Sequence, residues 1–388
     1  MNNLTPEQAE ALFHAGGFLV LSGLPESSEF GIDGTFHVVR RFSGIKFLTP
    51  GLHLVTWSPP SSSEASTDNS GPPAIYIRSA FLHAFEPRER VVLAYDTKSE
   101  TIPLDAVSAV ISDDHLRSLD GELAPYPFEG LAKWKALTGQ ITQPVIDAVL
   151  GEDGRVDGLT PVEGEEEDER AQAGNGVSPA QGAAGEKTMK FPRFDLKKSW
   201  RAGAVGEEVT RFARDKSWLL GNVVHDRLGN NPLLLVAHLQ LAFILLLHLS
   251  NFSSLLVYKR YLALLCRASS ALKLPTSLTV PMRSTYISLL HTLASQLSAL
   301  PRNAFDAELV EMDIFYLDEL EALRLNLIAS LGAGSLWKQD EERLRSAWQV
   351  LKNAAARSFD WDVGDLVSVA EESDEEEQGE YAPVVVDT

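Results

Sequence analysis

The 388 residues, 44% of them hydrophobic, suffice for two folded units at roughly 100–200 residues per domain, and the single cysteine, Cys266, excludes an intrachain disulfide and a Cys-x-x-Cys metal site. The net charge of −20 is concentrated: residues 151–186 carry ten acids and two bases and residues 370–388 eight acids and no base, which leaves only about −4 for the rest. No basic face stands out to neutralise phosphates, so the composition argues against a nucleic-acid binder.

The start, Met1-Asn2-Asn3-Leu4-Thr5-Pro6, has no basic segment leading into an apolar run. No signal peptide is expected, and the expected location is cytosolic and nuclear. Thr5, with Gln8 three residues on, forms a capping-box pattern that opens a short helix. Strand-like runs follow at Phe18–Leu24, Thr35–Phe42, Ile45–Leu48, Leu52–Trp57, Ala74–Phe85 and Val91–Tyr95, bounded by turn residues such as Gly31 to Gly34 and Pro50-Gly51. Six short strands without intervening helices predict an antiparallel sandwich or barrel. Between two of them, residues 59–73 contain no bulky apolar side chain and read as a disordered loop. From Asp105 to Leu150 the period turns helical, with Pro125 and Pro127 as a break. This β-rich domain is placed at residues 1–150, followed by an acidic linker at 151–188.

From about Glu207 the pattern is helical. Asn231-Pro232 opens a very apolar helix to Leu249, Ser250-Asn251 supplies stop and cap, and a second helix runs to about Leu272. Pro281 starts a third, on which Tyr286, Leu290, Leu293, Leu297 and Leu300 make one apolar stripe. Asp306–Met312, Leu317–Leu331 and Leu336–Phe359 complete the set, the last with Leu344, Ala347, Trp348, Leu351 and Ala355 on one face. The fold class is therefore α+β: a β-rich domain, then an all-α domain at residues 189–362, then an acidic flexible tail at 363–388.

Several features invite a functional reading. Leu233 to Leu249 has the length of a short membrane span but holds His238, Gln240 and His248, which favours a helix buried in protein. His37, His53, His83 and Glu86 fall on or beside strands, where a metal or acid–base site is imaginable, though no pair has a recognised ligand spacing. Phe30-Gly31-Ile32-Asp33-Gly34 superficially matches a catalytic-aspartate loop, but Asp and Gly are also the default residues of a tight turn. Tyr258, Lys259, Arg260, Tyr261 and Arg267 combine charge and aromatic rings on one helix, as an RNA-binding face does. An amphipathic helix with snorkelling cations gives the same pattern. Tyr381, Val384, Val385 and Val386 form a β-prone end on an acidic leash, suited to adding a strand to a partner's sheet edge. Ser373, set among acids, is a candidate phosphorylation site. No residue is assigned as catalytic, cofactor-binding or metal-binding.

Certain residues carry a resemblance. Leu19-Val20-Leu21, Glu29-Phe30-Gly31-Ile32-Asp33, Gly44-Ile45-Lys46, Pro50-Gly51, Phe85-Glu86, Leu123-Ala124-Pro125-Tyr126 and Lys133-Trp134 resemble the N-terminal domain of the Aar-two splicing-factor family. Leu239-Gln240, Ala242-Phe243, Lys259-Arg260, Leu264-Leu265-Cys266-Arg267 and Phe359-Asp360-Trp361-Asp362 resemble its C-terminal domain. The resemblance implies a β-rich domain followed by a VHS-like helical domain. It also implies a non-enzymatic, chaperone-like factor in the assembly of the U5 small nuclear ribonucleoprotein. The implied partner is the scaffold protein Prp-eight, bound at its RNase H-like and Jab/MPN-like domains, with the Brr-two helicase held off meanwhile. Direct nucleic-acid contact, a membrane and a cofactor are not expected. Two other readings stay open: an acidic general chaperone, and a hydrolase or metal enzyme in the β-rich domain.

Overall fold

The computed structural model describes residues 5–60, 77–104, 111–164, 187–273, 278, 280–307, 312–331, 337 and 340–367. These fall into two compact units, one reaching to Phe191 and including Gln240–Val257, the other made of Pro192–Leu239 and the chain from Tyr258 onward.

The first unit opens with helix α1 (Pro6–Ala15) and strands β1 (Gly17–Ser22), β2 (Glu29–Ile32), β3 (Thr35–Val38), β4 (Gly44–Leu48), β5 (Gly51–Ser58), β6 (Ser79–Phe85) and β7 (Arg90–Ala94). Helix α2 (Asp113–Ser118), strand β8 (Leu123–Pro125), helices α3 (Leu131–Thr138) and α4 (Gln143–Leu150) and strand β9 (Arg155–Asp157) follow. One sheet has the order β7-β1-β4-β8 and the other β3-β2-β5-β6-β9. β1 shows why the first sheet is buried on both faces. Its Leu19 and Leu21 join a core with Phe30, Ile32, Val55, Trp57, Phe81 and Phe85 of the other sheet, so the sheets pack as a sandwich. Phe18 and Val20, pointing the opposite way, pack with Phe47, Leu116 and Leu123 and with Leu12 and Phe13 of α1. The near-continuous apolar run of β1 reflects this double burial.

The structure corrects the sequence reading at four places. The sandwich is not purely antiparallel, because β1 pairs with β7 and β4 with β8 in parallel. Gly31 and Ile32, read as part of a turn running to Gly34, belong instead to the strand Glu29–Ile32, and only Asp33-Gly34 turns. Gly31 belongs in that strand for packing: a Cβ there would lie 2.3 Å from Thr56 Oγ1 and 2.7 Å from the Phe36 ring. The start of the assigned linker is folded. Arg155–Asp157 pairs antiparallel with Phe81–Ser79, and Val162 bridges to Met189. An acid-rich composition does not prevent a three-residue strand once a sheet edge offers its backbone partners. Finally, the chain stays packed beyond residue 362. Val363 and Leu366 are buried, and Trp348 Nε1 donates to the Gly364 carbonyl at 3.0 Å.

The second unit is helical: α5 (Glu207–Arg214), α6 (Ser217–Arg227), α7 (Leu233–Leu249), α8 (Phe252–Cys266), α9 (Met282–Ala299), α10 (Ala304–Ala307), α11 (Met312–Ser330) and α12 (Glu341–Phe359), with Gln240–Val257 of α7 and α8 grouped in the first unit. α9 packs along α12. Their stripes Tyr286, Leu290, Leu293, Leu297 and Leu344, Ala347, Trp348, Leu351, Ala355 are buried. Asp360, in the left-handed region at φ 59°, closes α12 by donating its N–H to the Ala355 and Ala356 carbonyls.

Candidate functional site

The strongest constellation of ionisable groups is centred on Asp33. Asp33-Gly34 is the two-residue turn of the β2–β3 hairpin, with φ of 50° and 79°. Its position brings the Asp33 carboxylate against His53 of β5 and Tyr126, which follows β8. Asp33 Oδ2 lies 2.6 Å from His53 Nδ1 and accepts from Tyr126 Oη at 2.6 Å, while Oδ1 accepts the Leu54 N–H at 2.9 Å. His53 Nε2 faces the Thr49 carbonyl at 2.7 Å; a carbonyl only accepts, so this nitrogen carries hydrogen. Burial, then the Asp33 charge, pushes the Tyr126 hydroxyl far above the usual phenol range. His53 is 1% exposed, and each polar group of the set is already engaged. The arrangement pins the hairpin turn onto β5 and the segment after β8. The sequence offers Asp33 and His53 as site candidates, whereas Tyr126 enters only within a run that carries the resemblance, because its role depends on a contact across 93 residues.

The other candidates are dispersed. His83 Nε2 lies 2.8 Å from Glu89 Oε1 rather than near Glu86, whose own N–H donates to Glu89 Oε2 at 2.7 Å. His37 is exposed on β3. Among the described residues, no group of three or more His, Cys, Asp or Glu could hold a metal ion. Tyr381, Val384, Val385, Val386 and Ser373 lie outside the described residues, as does most of the segment 59–73.

The basic and aromatic face proposed for α8 is closed off on its aromatic side. Tyr258 and Tyr261 are buried. Tyr316 Oη donates to Tyr258 Oη at 2.7 Å, which donates to Gln296 Oε1 at 2.8 Å, and Tyr261 Oη donates to the Pro192 carbonyl at 3.2 Å. Lys259 Nζ stands 4.8 Å from the Phe315 ring centroid. Arg267 Nε donates to Glu319 Oε2 at 2.9 Å, and the Glu319 side chain is 0% exposed. That bond raises the Arg267 pKa, while burial outweighs the pairing and pushes the Glu319 carboxyl up. Stacking on bases therefore is not available to these tyrosines.

Beside this pair lies a cleft of about 630 Å³, lined among others by Leu196, Ala263, Ala322 and Leu325 and by Lys216. Lys216 Nζ donates to the Leu196 carbonyl at 2.9 Å, Ser199 Oγ at 2.9 Å and the Ala213 carbonyl at 2.6 Å, so its hydrogens are spent within the fold. Burial, helped by the Arg267 charge, lowers its pKa. Burial opposes ionisation of the neighbouring Asp215, but hydrogen bonds from Ser217 and Ser270 win and hold its carboxyl below the usual range.

In the first unit, residues Gln240–Val257 form the elbow of α7 and α8. Gln240 Oε1 accepts the Gln140 N–H at 2.9 Å, and Arg78 donates both to Glu29 Oε1 at 2.6 Å and to the His248 carbonyl at 3.3 Å. The polar residues of α7 thus serve packing: His238 Nδ1 also lies 2.6 Å from the Leu234 carbonyl. No helix among the described residues is long and apolar enough to cross a membrane.

Comparison with known proteins gives this arrangement a family. The AAR2 N-terminal domain matches residues 15–151 and the AAR2 C-terminal repeat region residues 191–364. The chain is 26% identical to the AAR2 homolog of Homo sapiens across 99% of this chain and 97% of that protein. It is 27% identical to that of Mus musculus across 82% and 84%. A shorter stretch, 39% of this chain and 40% of the relative, is 32% identical to the AAR2 homolog of Caenorhabditis elegans. With both family regions present in order over most of its length, the chain belongs to the AAR2 family, the Aar-two family that its residues resemble.

Proposed function

We propose that the protein is a non-enzymatic pre-mRNA splicing factor that assists assembly of the U5 small nuclear ribonucleoprotein. In this reading it binds the C-terminal RNase H-like and Jab/MPN-like region of Prp-eight, chaperone-like, and delays recruitment of the Brr-two helicase. It acts in cytoplasm and nucleus. The observation that carries the reading is the ordered match of both AAR2 regions, joined to near-complete coverage of the Homo sapiens relative. The closed hydrogen-bonding of Asp33, His53 and Tyr126 supports a structural rather than a catalytic use of the most enzyme-like cluster.

Within this reading, Tyr381, Val384, Val385 and Val386 act as a strand added to the partner, and phosphate on Ser373 adds charge to an already acidic leash. The test is size-exclusion chromatography of the full chain with a purified Prp-eight fragment holding both domains. Co-elution is expected, weakened by deletion of residues 380–388 and excluding Brr-two. Separate elution at micromolar concentrations removes the proposal.

A further inference from the structure

One end of the sandwich in the first unit is open. β3 is the outermost strand of one sheet and β8 of the other, and a cleft of about 700 Å³ lies between residues 37–42 and residues 124–129. Val39 turns its backbone inward: its N–H donates to the Ser28 carbonyl at 2.8 Å, and its carbonyl accepts the Ser27 N–H at 2.8 Å. Alternation along an antiparallel ladder then turns the backbone groups of Phe36, Val38 and Arg40 away from β2, toward the open edge. The Val38 side chain is 69% exposed.

The floor of the cleft is aromatic. The Phe30 and Phe42 ring centroids are 4.4 Å apart, and Tyr126 meets Phe128 edge-on at 5.3 Å. Arg40 and Arg41 stand exposed on one lip with no carboxylate paired to either among the described residues, and Glu129 stands on the other. An open strand edge, an exposed β-branched side chain and two guanidinium groups with no carboxylate partner among the described residues define one kind of occupant. A second copy of this chain fits poorly, because an isologous contact brings the arginine pairs of both copies together.

We propose that this cleft receives an extended acidic segment of a partner protein. The segment adds as a strand along β3, rests apolar side chains on the aromatic floor and sets carboxylates on Arg40 and Arg41. This goes beyond the proposed function and stands or falls without it, since no particular partner is assumed.

The experiment is fluorescence anisotropy of the full chain with a labelled peptide alternating valine and glutamate, against its counterpart with lysine for every glutamate. Binding of the glutamate peptide alone is expected, and Arg40→Glu combined with Arg41→Glu is expected to weaken it about tenfold or more. Val38→Pro removes an N–H turned away from β2, on an edge strand where proline is tolerated, and is expected to weaken binding without shifting thermal unfolding. Should Val38→Pro fail to fold, the charge reversal on exposed side chains still decides. Equal affinity for the two peptides overturns the proposal, as does glutamate-peptide affinity unchanged by the charge reversal. Self-association of the chain that disappears in Val38→Pro, with no peptide binding, overturns it in favour of a second copy.

Discussion

Asn251, at the elbow between α7 and α8, is 1% exposed and holds two elements at once. Its Oδ1 accepts the Ser254 N–H at 2.7 Å, which caps the start of α8. Its Nδ2 lies 2.9 Å from the Thr160 carbonyl, 3.1 Å from that of Asp157 and 3.3 Å from that of Gly158, at the end of β9. An amide nitrogen has two hydrogens, so two of these three contacts are made at full strength. Asn251→Ala removes a cap of about 1 kcal/mol and two buried amide–carbonyl bonds of about 1 kcal/mol each. The expected loss is roughly 3 kcal/mol, concentrated where β9 meets the elbow. Asn251→Asp keeps the cap but sets a carboxylate oxygen against three carbonyl oxygens, so it is expected to cost at least as much as alanine. Hydrogen exchange is the suitable assay, because it reads the loss locally, where β9 meets the elbow. The Gly158 N–H, which donates to the Arg78 carbonyl at 3.1 Å, is expected to lose about 100-fold in protection in both variants. Wild-type protection in Asn251→Asp would refute the clamp.

Three further outcomes follow from buried polar groups. Tyr126→Phe deletes a 2.6 Å bond to the Asp33 carboxylate and is expected to cost about 1.5–3 kcal/mol in thermal unfolding; no loss would deny the network a structural role. Burial, helped by Lys133 and Arg78, lowers the His248 pKa from 6.5 to about 4. The folded state then refuses a proton that the unfolded chain accepts, so stability is full above pH 6.5 and falls as the pH drops toward about 4, by roughly 3 kcal/mol. Denaturant titrations across that range are expected to show His248→Leu with a flatter dependence, and parallel curves would contradict the assignment. Arg267→Ala strands the buried Glu319 carboxylate and is expected to cost about 3 kcal/mol; Glu319→Gln in the same chain should recover part of this. Strictly additive losses would show the pair to be uncoupled.

The helices of the second unit were legible because burial writes a periodic stripe. The span Leu233–Leu249, and the faces carrying Tyr286 and Leu344, stand in the structure where the pattern placed them. The sheets were legible only in part. β1, β4 and β5 carry enough apolar residues to announce themselves, whereas β2 hides behind Gly31 and the Asp33-Gly34 turn. β8 contains Pro125, and β9 is three residues inside an acidic stretch. Such strands exist because another strand supplies their partners, and neither that partner nor its parallel direction leaves a local mark. The site was harder still. Asp33 and His53 were visible as residue types, but Tyr126 and the docking of Asn251 on β9 are set by contacts across more than 90 residues. The open edge of β3 has no signature at all until the strand order is known.

The central claim is that this chain serves U5 assembly by holding Prp-eight before Brr-two joins. Affinity purification of the tagged full-length protein from cells, followed by mass spectrometry, tests it most directly. The expected result is recovery of Prp-eight and U5 proteins with Brr-two absent; recovery of neither, or of Prp-eight with Brr-two in equal amount, would contradict the claim.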